Sequence, residues 1–381
     1  MGKHPKLIRP EIGRYARNEW AIHGTNCSTI QQFAKDIIKT LGDKYRICYI
    51  DTDHRSFKEE LHANYLEDGA IVGVSDKKQF QQIDLSILNP DFDYKFILQQ
   101  ADIVLVNGNH HTANKQIVFL DQSKVESLER KASLLTDIKA FIPVDSYNVV
   151  PTHILDELSS EIALPIYEEN AVDGVAQLID QELHEKRAGL KALILAGGKS
   201  ERMGVDKGAI NYHGLEQREH MAKLAKEYTD EVYISCRAGQ ASEITSEFSI
   251  LEDRIDDMGP FGAILTAFMT DPNSAWLVLA CDLPLIDSET LKQLTANRNS
   301  SSYATCFRSP ENDLPEPLIA IWEPRAYMRL LQFMSIGHSC PRKVLINSDV
   351  EQLEAINPQA LMNANTPEDL DHAKTLINAG S

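Results

Sequence analysis

The sequence predicts two consecutive α/β domains, and three observations carry that expectation. The chain has 381 residues, more than a single hydrophobic core usually supports. Short apolar runs alternate with amphipathic stretches along its whole length, the pattern of strands and helices in turn. A charged helical segment near the middle is followed by a restart of the same pattern. Hydrophobic content of 43% and charged content of 25% are those of an ordinary folded protein.

In the first half, Glu19-Trp20-Ala21-Ile22 reads as a strand leading into Gly24. The helical stretch that follows carries Phe33, Ile37, Ile38 and Leu41 at helical spacing. Further strand candidates are the run ICYI ending at Ile50, Ile103 to Val106 before Asn107-Gly108, Ile117 to Leu120, and Ala140 to Val144. Apolar strands separated by helices predict a mostly parallel sheet. The segment GVAQLIDQELHEKRAGL reads as a helix whose charged end, closed by Ala188-Gly189, marks the boundary. The domains are therefore expected at 1–188 and 189–381. The second half begins with the strand Lys191 to Leu195 and continues with Glu231 to Ser235 and Ala275 to Ala280. Helices are expected at Arg218 to Tyr228, Gly262 to Thr270 and Ser288 to Ala296.

Composition excludes several functions. The formal net charge is −18, which disfavours duplex nucleic acid as a partner, since phosphate backbones need clustered Lys and Arg. A locally positive pocket for a small anion stays compatible with it. Cys27, Cys48, Cys236, Cys281, Cys306 and Cys340 form no CxxC pair, so free thiols in a reducing cytosol are expected and a zinc site is not. No apolar run nears the roughly 20 residues needed to span a bilayer, and the N-terminus has no apolar signal core. The expectation is a cytoplasmic protein without a membrane partner.

The chemistry-bearing stretch is LAGGKSERMGVDK, Leu195 to Lys207. After a strand, Gly197-Gly198 let backbone N–H groups turn toward an anion that can approach closely. Arg202 offers a bidentate fork for phosphate and Lys207 a point charge. A bare Gly-Gly would equally suit an ordinary strand-to-helix turn, but the whole string narrows the choice. Asp282 follows the apolar run AWLVLAC, at the carboxyl end of a strand, where open α/β sheets bind ligands. It could hold Mg²⁺ or act as a turn or helix-capping residue before Leu-Pro. Asp253 follows SILE, with Asp256 and Asp257 close by. Gly259-Pro260-Phe261-Gly262 opens a helix with Pro in its first turn. Asn363 and Asn365 precede Thr366 and Asp369, which could simply cap the last helix.

The stretch Leu195 to Gly208 resembles the signature of molybdenum cofactor guanylyltransferases, the MobA family, which has a Rossmann-like nucleotidyltransferase fold. The resemblance continues in order through Ile250 to Asp253, Gly259 to Gly262, Ala280 to Pro284, Pro317 to Ala320 and Asn363 to Glu368. It implies transfer of GMP from GTP to molybdopterin with release of pyrophosphate. It implies nucleotide contacts at Leu195, Ala196, Gly197, Gly198, Lys207, Asp253, Gly262 and Asp282, and acceptor contacts at Asn363 and Asn365. Arg202, Lys207 and Asp282 would be catalytic, with Asp282 the ligand of Mg²⁺. GTP and molybdopterin would be the partners, and apo-molybdoenzymes are left open as recipients. Two stretches depart from the family pattern: Gly214-Leu215-Glu216-Gln217 stands where Gly-x-Pro-Leu is common, and Pro315-Glu316-Pro317 where His-Pro-Thr-like residues occur. Use of CTP and a purely cofactor-carrying role stay open as alternatives.

The opening stretch WAIHGTNCSTIQQFAKDII resembles the adapter proteins that partner these transferases, the MobB family of P-loop proteins. Here Cys27 stands where the phosphate-binding Lys belongs and Asn26 replaces a glycine. Asn107-Gly108-Asn109 lacks the acidic residue expected before Gly. The implied domain keeps a degenerate P-loop NTPase-like fold without GTP hydrolysis. In the sequence His23 is the nearest imidazole to Cys27, and no nucleophilic Cys–His arrangement is visible.

Overall fold

In the computed structural model the chain divides into two compact units, Met1–Lys186 and Arg187–Ser381. The structure describes residues 14–53, 66, 69–86, 97–98, 100–152, 154, 164–168, 171–197 and 207–380.

The first unit contains β1 (Glu19–His23), α1 (Cys27–Leu41), β2 (Ile47–Ile50), β3 (Val72–Asp76), β4 (Gln81–Leu85), β5 (Ile103–Asn107), β6 (Lys115–Leu120), α2 (Val125–Glu129), β7 (Ile138–Pro143) and α3 (Ala171–Glu185). Five strands form one sheet in the order β2-β5-β1-β6-β7, and every pairing in it is parallel. The expected parallel sheet is therefore present. Its central strands are buried end to end, which is why they read as unbroken apolar runs. On one face Trp20, Ile22, Leu105 and Ile117 pack against Ile30, Ala34 and Ile37 of α1 and Val175 and Ile179 of α3. The start of α1 is set by Asn26, whose Oδ1 accepts the Thr29 N–H at 3.0 Å, a cap worth about 1 kcal/mol. The β3–β4 hairpin was not expected. Its Val72, Val74 and Ile83 are exposed, so it lacks the buried apolar run that announces the other strands.

The second unit contains β8 (Leu190–Leu195), α4 (Gln217–Lys226), β9 (Glu231–Cys236), β10 (Ser249–Glu252), α5 (Pro260–Thr270), β11 (Ala275–Ala280), α6 (Ser288–Ala296), β12 (Ala304–Arg308), β13 (Pro315–Trp322), α7 (Ala326–Ser335), α8 (Pro341–Ile346), β14 (Glu351–Leu353) and α9 (Pro367–Gly380). Its seven-stranded sheet has the order β10-β9-β8-β11-β13-β12-β14. Only β13 runs against its neighbours; the other pairings are parallel. Side chains alternate between two cores, as the period of a strand requires. Ala192, Ile194, Leu277 and Leu279 face α4 and α6 through Met221, Ala222, Leu291 and Leu294. Leu193, Trp276 and Val278 face α5 through Phe261, Ile264 and Phe268. Each of these large side chains contributes about 1.5–3 kcal/mol of burial.

A charged pair is enclosed in the same unit. Arg298 donates from Nε to Glu323 Oε1 at 2.6 Å and from Nη2 to Oε2 at 3.0 Å. Its Nη2 also reaches the Ala188 carbonyl at 2.9 Å. The two side chains are 4% and 2% exposed. Among the described residues no helix is long and apolar enough to cross a membrane.

In this unit the chain steps from β8 to β9 and β10 on one side, then returns to β11 on the other. The sheet therefore reverses its winding at the β8–β11 pair. Open α/β sheets bind ligands outside the carboxyl ends of the strands at such a point.

Candidate active site

The carboxyl ends of β9, β8 and β11 lie side by side. The Ala196 N–H donates to the Ser235 carbonyl at 2.9 Å, and the Cys281 N–H to the Leu195 carbonyl at 3.4 Å. The Leu195–Ala196 backbone is thus partly spent on the sheet, which leaves its remaining groups at the rim. Gly197 turns away at the end of β8. A Cβ there would lie 2.9 Å from the Arg237 nitrogen and 3.1 Å from the Cys236 carbonyl carbon, so close approach to β9 demands glycine. Gly197→Ala is expected to push the turn outward and weaken nucleotide binding about tenfold or more, as a displaced close contact does. Equilibrium titration with GTP measures it, and unchanged affinity would contradict the placement. Gly198 and Arg202 lie outside the described residues.

Lys207 sits in a short 3-10 turn, Lys207–Ala209. Its Nζ donates to Asn365 Oδ1 at 2.6 Å and to Asp282 Oδ2 at 3.3 Å. Residues far apart in sequence are thus brought to one point. The Asp282 carbonyl also accepts the Ala364 N–H at 2.8 Å, which pins the strand of residues around Asn365 against the end of β11. The capping alternative for Asp282 is excluded, because Asp287 performs it: its Oδ1 accepts the Thr290 N–H at 2.8 Å at the start of α6. Asn365 and the segment leading into α9 are held by the cap foreseen in the sequence. Asp369 Oδ2 accepts the N–H groups of Asn365 and Thr366, and Thr366 Oγ1 accepts the Asp369 N–H. Asn363 lies next to this segment, half-buried.

Asp282 has one oxygen with a cation and one without. Its Oδ1 is buried and meets no hydrogen-bond partner among the described residues. A buried lone acceptor costs about 1–3 kcal/mol and asks for an explanation in ligand or ion binding. Among the described residues no cluster of three or more His, Cys, Asp or Glu is present. A single carboxylate fits a hard cation whose other ligands are water and substrate phosphate, as with Mg²⁺.

Asp253 is joined to the rim through Ser235, whose Oγ donates to its Oδ1 at 2.9 Å. Burial, and next the Asp256 carboxylate, push its carboxyl from 3.8 up to about 6, against the pull of the Ser235 hydrogen bond. The folded value lies above the ordinary one. The stabilisation from the protonated form is therefore complete below about pH 4 and is lost as pH rises through about 6. Asp253→Asn, which imitates the protonated group, is expected to raise the Tm relative to the parent at pH 8 and to leave it nearly unchanged at pH 4. Thermal melts at the two pH values test this; an equal effect at both would remove the burial argument.

Gly262 is buried inside α5. A Cβ there would lie 2.8 Å from the Ile255 carbonyl oxygen and 3.2 Å from Met258 Cβ. Packing within the protein by itself calls for a glycine here, at the position where the resemblance implies a nucleotide contact.

The roles of four residues around the site were missed in the sequence. His213 Nε2 lies 2.8 Å from the Pro284 carbonyl, and Gln217 Nε2 donates to the Leu283 carbonyl at 3.2 Å. Both hold the turn that follows Asp282. The His213 ring stacks on His220 at 3.9 Å, and burial followed by His213 lowers His220 to about 4. Tyr212 lies at the same rim; burial, then the Asp282 and Asp369 carboxylates, push its phenol up. The available signal was the departure at Gly214 to Gln217. There an Asn211–Glu216 bridge and the left-handed Gly214 (φ 80°) make a tight turn that aims Gln217 inward.

Residues 192–353 match the profile of the MobA-like NTP transferase domain. A molybdenum cofactor guanylyltransferase from Pseudomonas entomophila is 31% identical over 180 residues, covering 46% of this chain and 93% of that protein. The chain belongs to the molybdenum cofactor guanylyltransferase family. A molybdenum cofactor biosynthesis bifunctional protein from Synechocystis sp. is 35% identical over 181 residues, 47% of this chain, and the match spans 52% of that protein's length. A molybdopterin-guanine dinucleotide biosynthesis protein A from Archaeoglobus fulgidus, solved by crystallography, is 22% identical with a TM-score of 0.43, covering 50% of this chain and 99% of that one. The match to the MobA-like NTP transferase domain runs from within β8 to the last residue of β14. It takes in Lys207, Asp253 and Asp282 and stops short of Asn363 and Asn365.

Proposed function

We propose that the second unit transfers GMP from GTP to molybdopterin and releases pyrophosphate. The observation that carries this reading is the junction of Lys207 with Asp282 and Asn365 at the winding reversal of the sheet. A terminal phosphate oxygen of molybdopterin attacks the α-phosphorus of GTP. The bond from that phosphorus to the β-phosphate oxygen breaks, and pyrophosphate leaves with the electron pair. Such a reaction needs alignment and charge neutralisation more than covalent help. Lys207 supplies the described positive charge, and Arg202 a second one. Asp282 would hold Mg²⁺, which when bound withdraws charge from phosphate oxygens. Asp253 and the residues Leu195, Ala196, Gly197 and Gly198 contact the nucleotide, and Asn363 and Asn365 the acceptor. Asn365 already accepts a hydrogen bond from Lys207, so acceptor and nucleotide sides share one amine.

The relatives named as guanylyltransferases support guanine as the base. Free cysteines at all six positions suit a reducing cytoplasm, and apo-molybdoenzymes are the proposed recipients of the product. The first unit is proposed as an adapter of degenerate P-loop type that does not hydrolyse GTP. The Asn26 side chain already occupies the Thr29 amide at the head of α1, where a phosphate would be received.

The test is pyrophosphate release by the full chain with GTP, Mg²⁺ and molybdopterin, alongside GTP and CTP titrations. Lys207→Met is expected to lower the rate about a hundredfold, the usual scale for removing one charge-stabilising donor. Tighter binding of CTP overturns the guanine assignment. No release by the parent protein overturns transfer and favours a cofactor-carrying role.

A further inference from the structure

We propose that Cys27 is an imidazole-activated thiol, set in a cationic pocket that accepts alkyl or acyl electrophiles bearing a carboxylate or phosphate. The site belongs to the first unit and is independent of the transfer reaction above. In the sequence Cys27 and His110 are 83 positions apart, and only the fold brings them together. Cys27 Sγ lies 3.3 Å from His110 Nε2, within reach for a nucleophile and its base. Asn109 Nδ2 lies 3.6 Å from the same sulfur and also donates to the Thr25 carbonyl at 2.9 Å. Cys27 is the first residue of α1, a 15-residue helix, and a helix N-terminus favours the thiolate.

The surroundings supply the selectivity. Cys27 opens on a cavity of about 300 Å³ whose lining includes Thr25, Asn26, Asn109, Lys124 and Lys131. No Asp or Glu is among the described residues that line it, on a chain whose net charge is −18. The Lys131 amine is held over the sulfur's neighbourhood by the Gly108 and Asn109 carbonyls, at 3.3 and 3.0 Å. Burial lowers its pKa and the nearby Cys27 opposes that fall. The other thiols differ. Burial pushes Cys236 up to about 11 and Cys306 up to about 12, and Cys281 is buried. Cys340 is exposed and serves as an internal standard.

In the reaction the Cys27 proton passes to His110 Nε2, which requires the ring proton on Nδ1. A sulfur electron pair forms the S–C bond as the bond from that carbon to the leaving group breaks. The leaving group departs with its electron pair. Iodoacetate and iodoacetamide are the probes, with iodide as leaving group, and mass spectrometry of the full chain at pH 7 reads each cysteine separately.

Cys27 is expected to react at least about tenfold faster than Cys340, a conservative fraction of what a positioned general base supplies. It should prefer iodoacetate, with Cys340 showing no such preference. His110→Gln should slow Cys27 about tenfold and leave Cys340 unchanged, with the circular dichroism melt of the variant matching that of the parent. Lys131→Gln should abolish the preference for iodoacetate while keeping most of the rate with iodoacetamide. Equal rates at Cys27 and Cys340, or an unchanged Cys27 rate in His110→Gln, overturn the activated thiol. Retention of the iodoacetate preference in both Lys131→Gln and Lys124→Gln overturns the cationic selectivity.

Discussion

Asp282→Asn is expected to reduce guanylyl transfer about a hundredfold to a thousandfold, with the fold intact. The substitution keeps the volume and an oxygen that can accept from Lys207, whose Nζ lies 3.3 Å from Oδ2. It removes the negative charge behind the unpartnered, buried Oδ1. If that oxygen's partner is a hard cation shared with substrate phosphates, charge stabilisation worth several kcal/mol goes with it. The two side chains of the ion pair are each 22% exposed, and the Asn oxygen still accepts from Lys207, so the Tm should move little. One experiment with two readouts separates the cases. Single-turnover rates across a Mg²⁺ titration should show both the lower rate and a higher Mg²⁺ requirement. Activity within about fivefold of the parent, below the effect of one lost electrostatic contact, would sink the assignment of Asp282 to metal and phosphate.

The largest expected loss of stability lies elsewhere in the same unit. Arg298→Met is expected to destabilise it by about 3–5 kcal/mol, because it leaves a buried carboxylate uncompensated. Glu323 is 1% exposed and receives both arms of the guanidinium. The Ala188 carbonyl would lose its donor as well. The double replacement Arg298→Met with Glu323→Leu should recover most of the loss, since neither charge is then stranded. Denaturant titration of the three variants decides. A single-variant loss under about 1 kcal/mol, the scale of a solvent-screened pair, would show that the pair is not enclosed as described.

These two predictions also show where sequence and structure part. The strand Ala275–Ala280 and the helix Ser288–Ala296 were legible to the residue. One is a wholly apolar run and the other begins at an Asp cap. The parallel sheet of the first unit followed from the same reasoning. The reversed direction of β13 was not legible, because apolar composition carries no sign of chain direction. Exposed β3 and β4 left no buried pattern to read. In the site, Lys207 and Asp282 stood out because their chemistry shows in the side chain and in a compact motif. His213 and Gln217 did not, since they act on main-chain carbonyls that any residue could supply. Gly262, singled out through the resemblance, also has neighbours of its own that require a glycine. The Arg298–Glu323 pair was invisible, as two common surface residue types separated by 25 positions.

The hydrogen bond from Lys207 to Asn365 spans 158 positions, and this has a consequence for how the protein comes to life. A chain emerging from the ribosome exposes Lys207 and later Asp282, yet neither can reach its finished environment until residues 364 and 365 have been made. The sheet around β8, β9 and β11 can collapse earlier, because its pairings close before that point in synthesis. The junction of Lys207, Asp282 and Asn365 is thus a late event laid on an early scaffold, with the loop-closure cost of its longest contact met last. A nascent chain halted ahead of Ala364 would hold a nearly complete core and an unfinished cation.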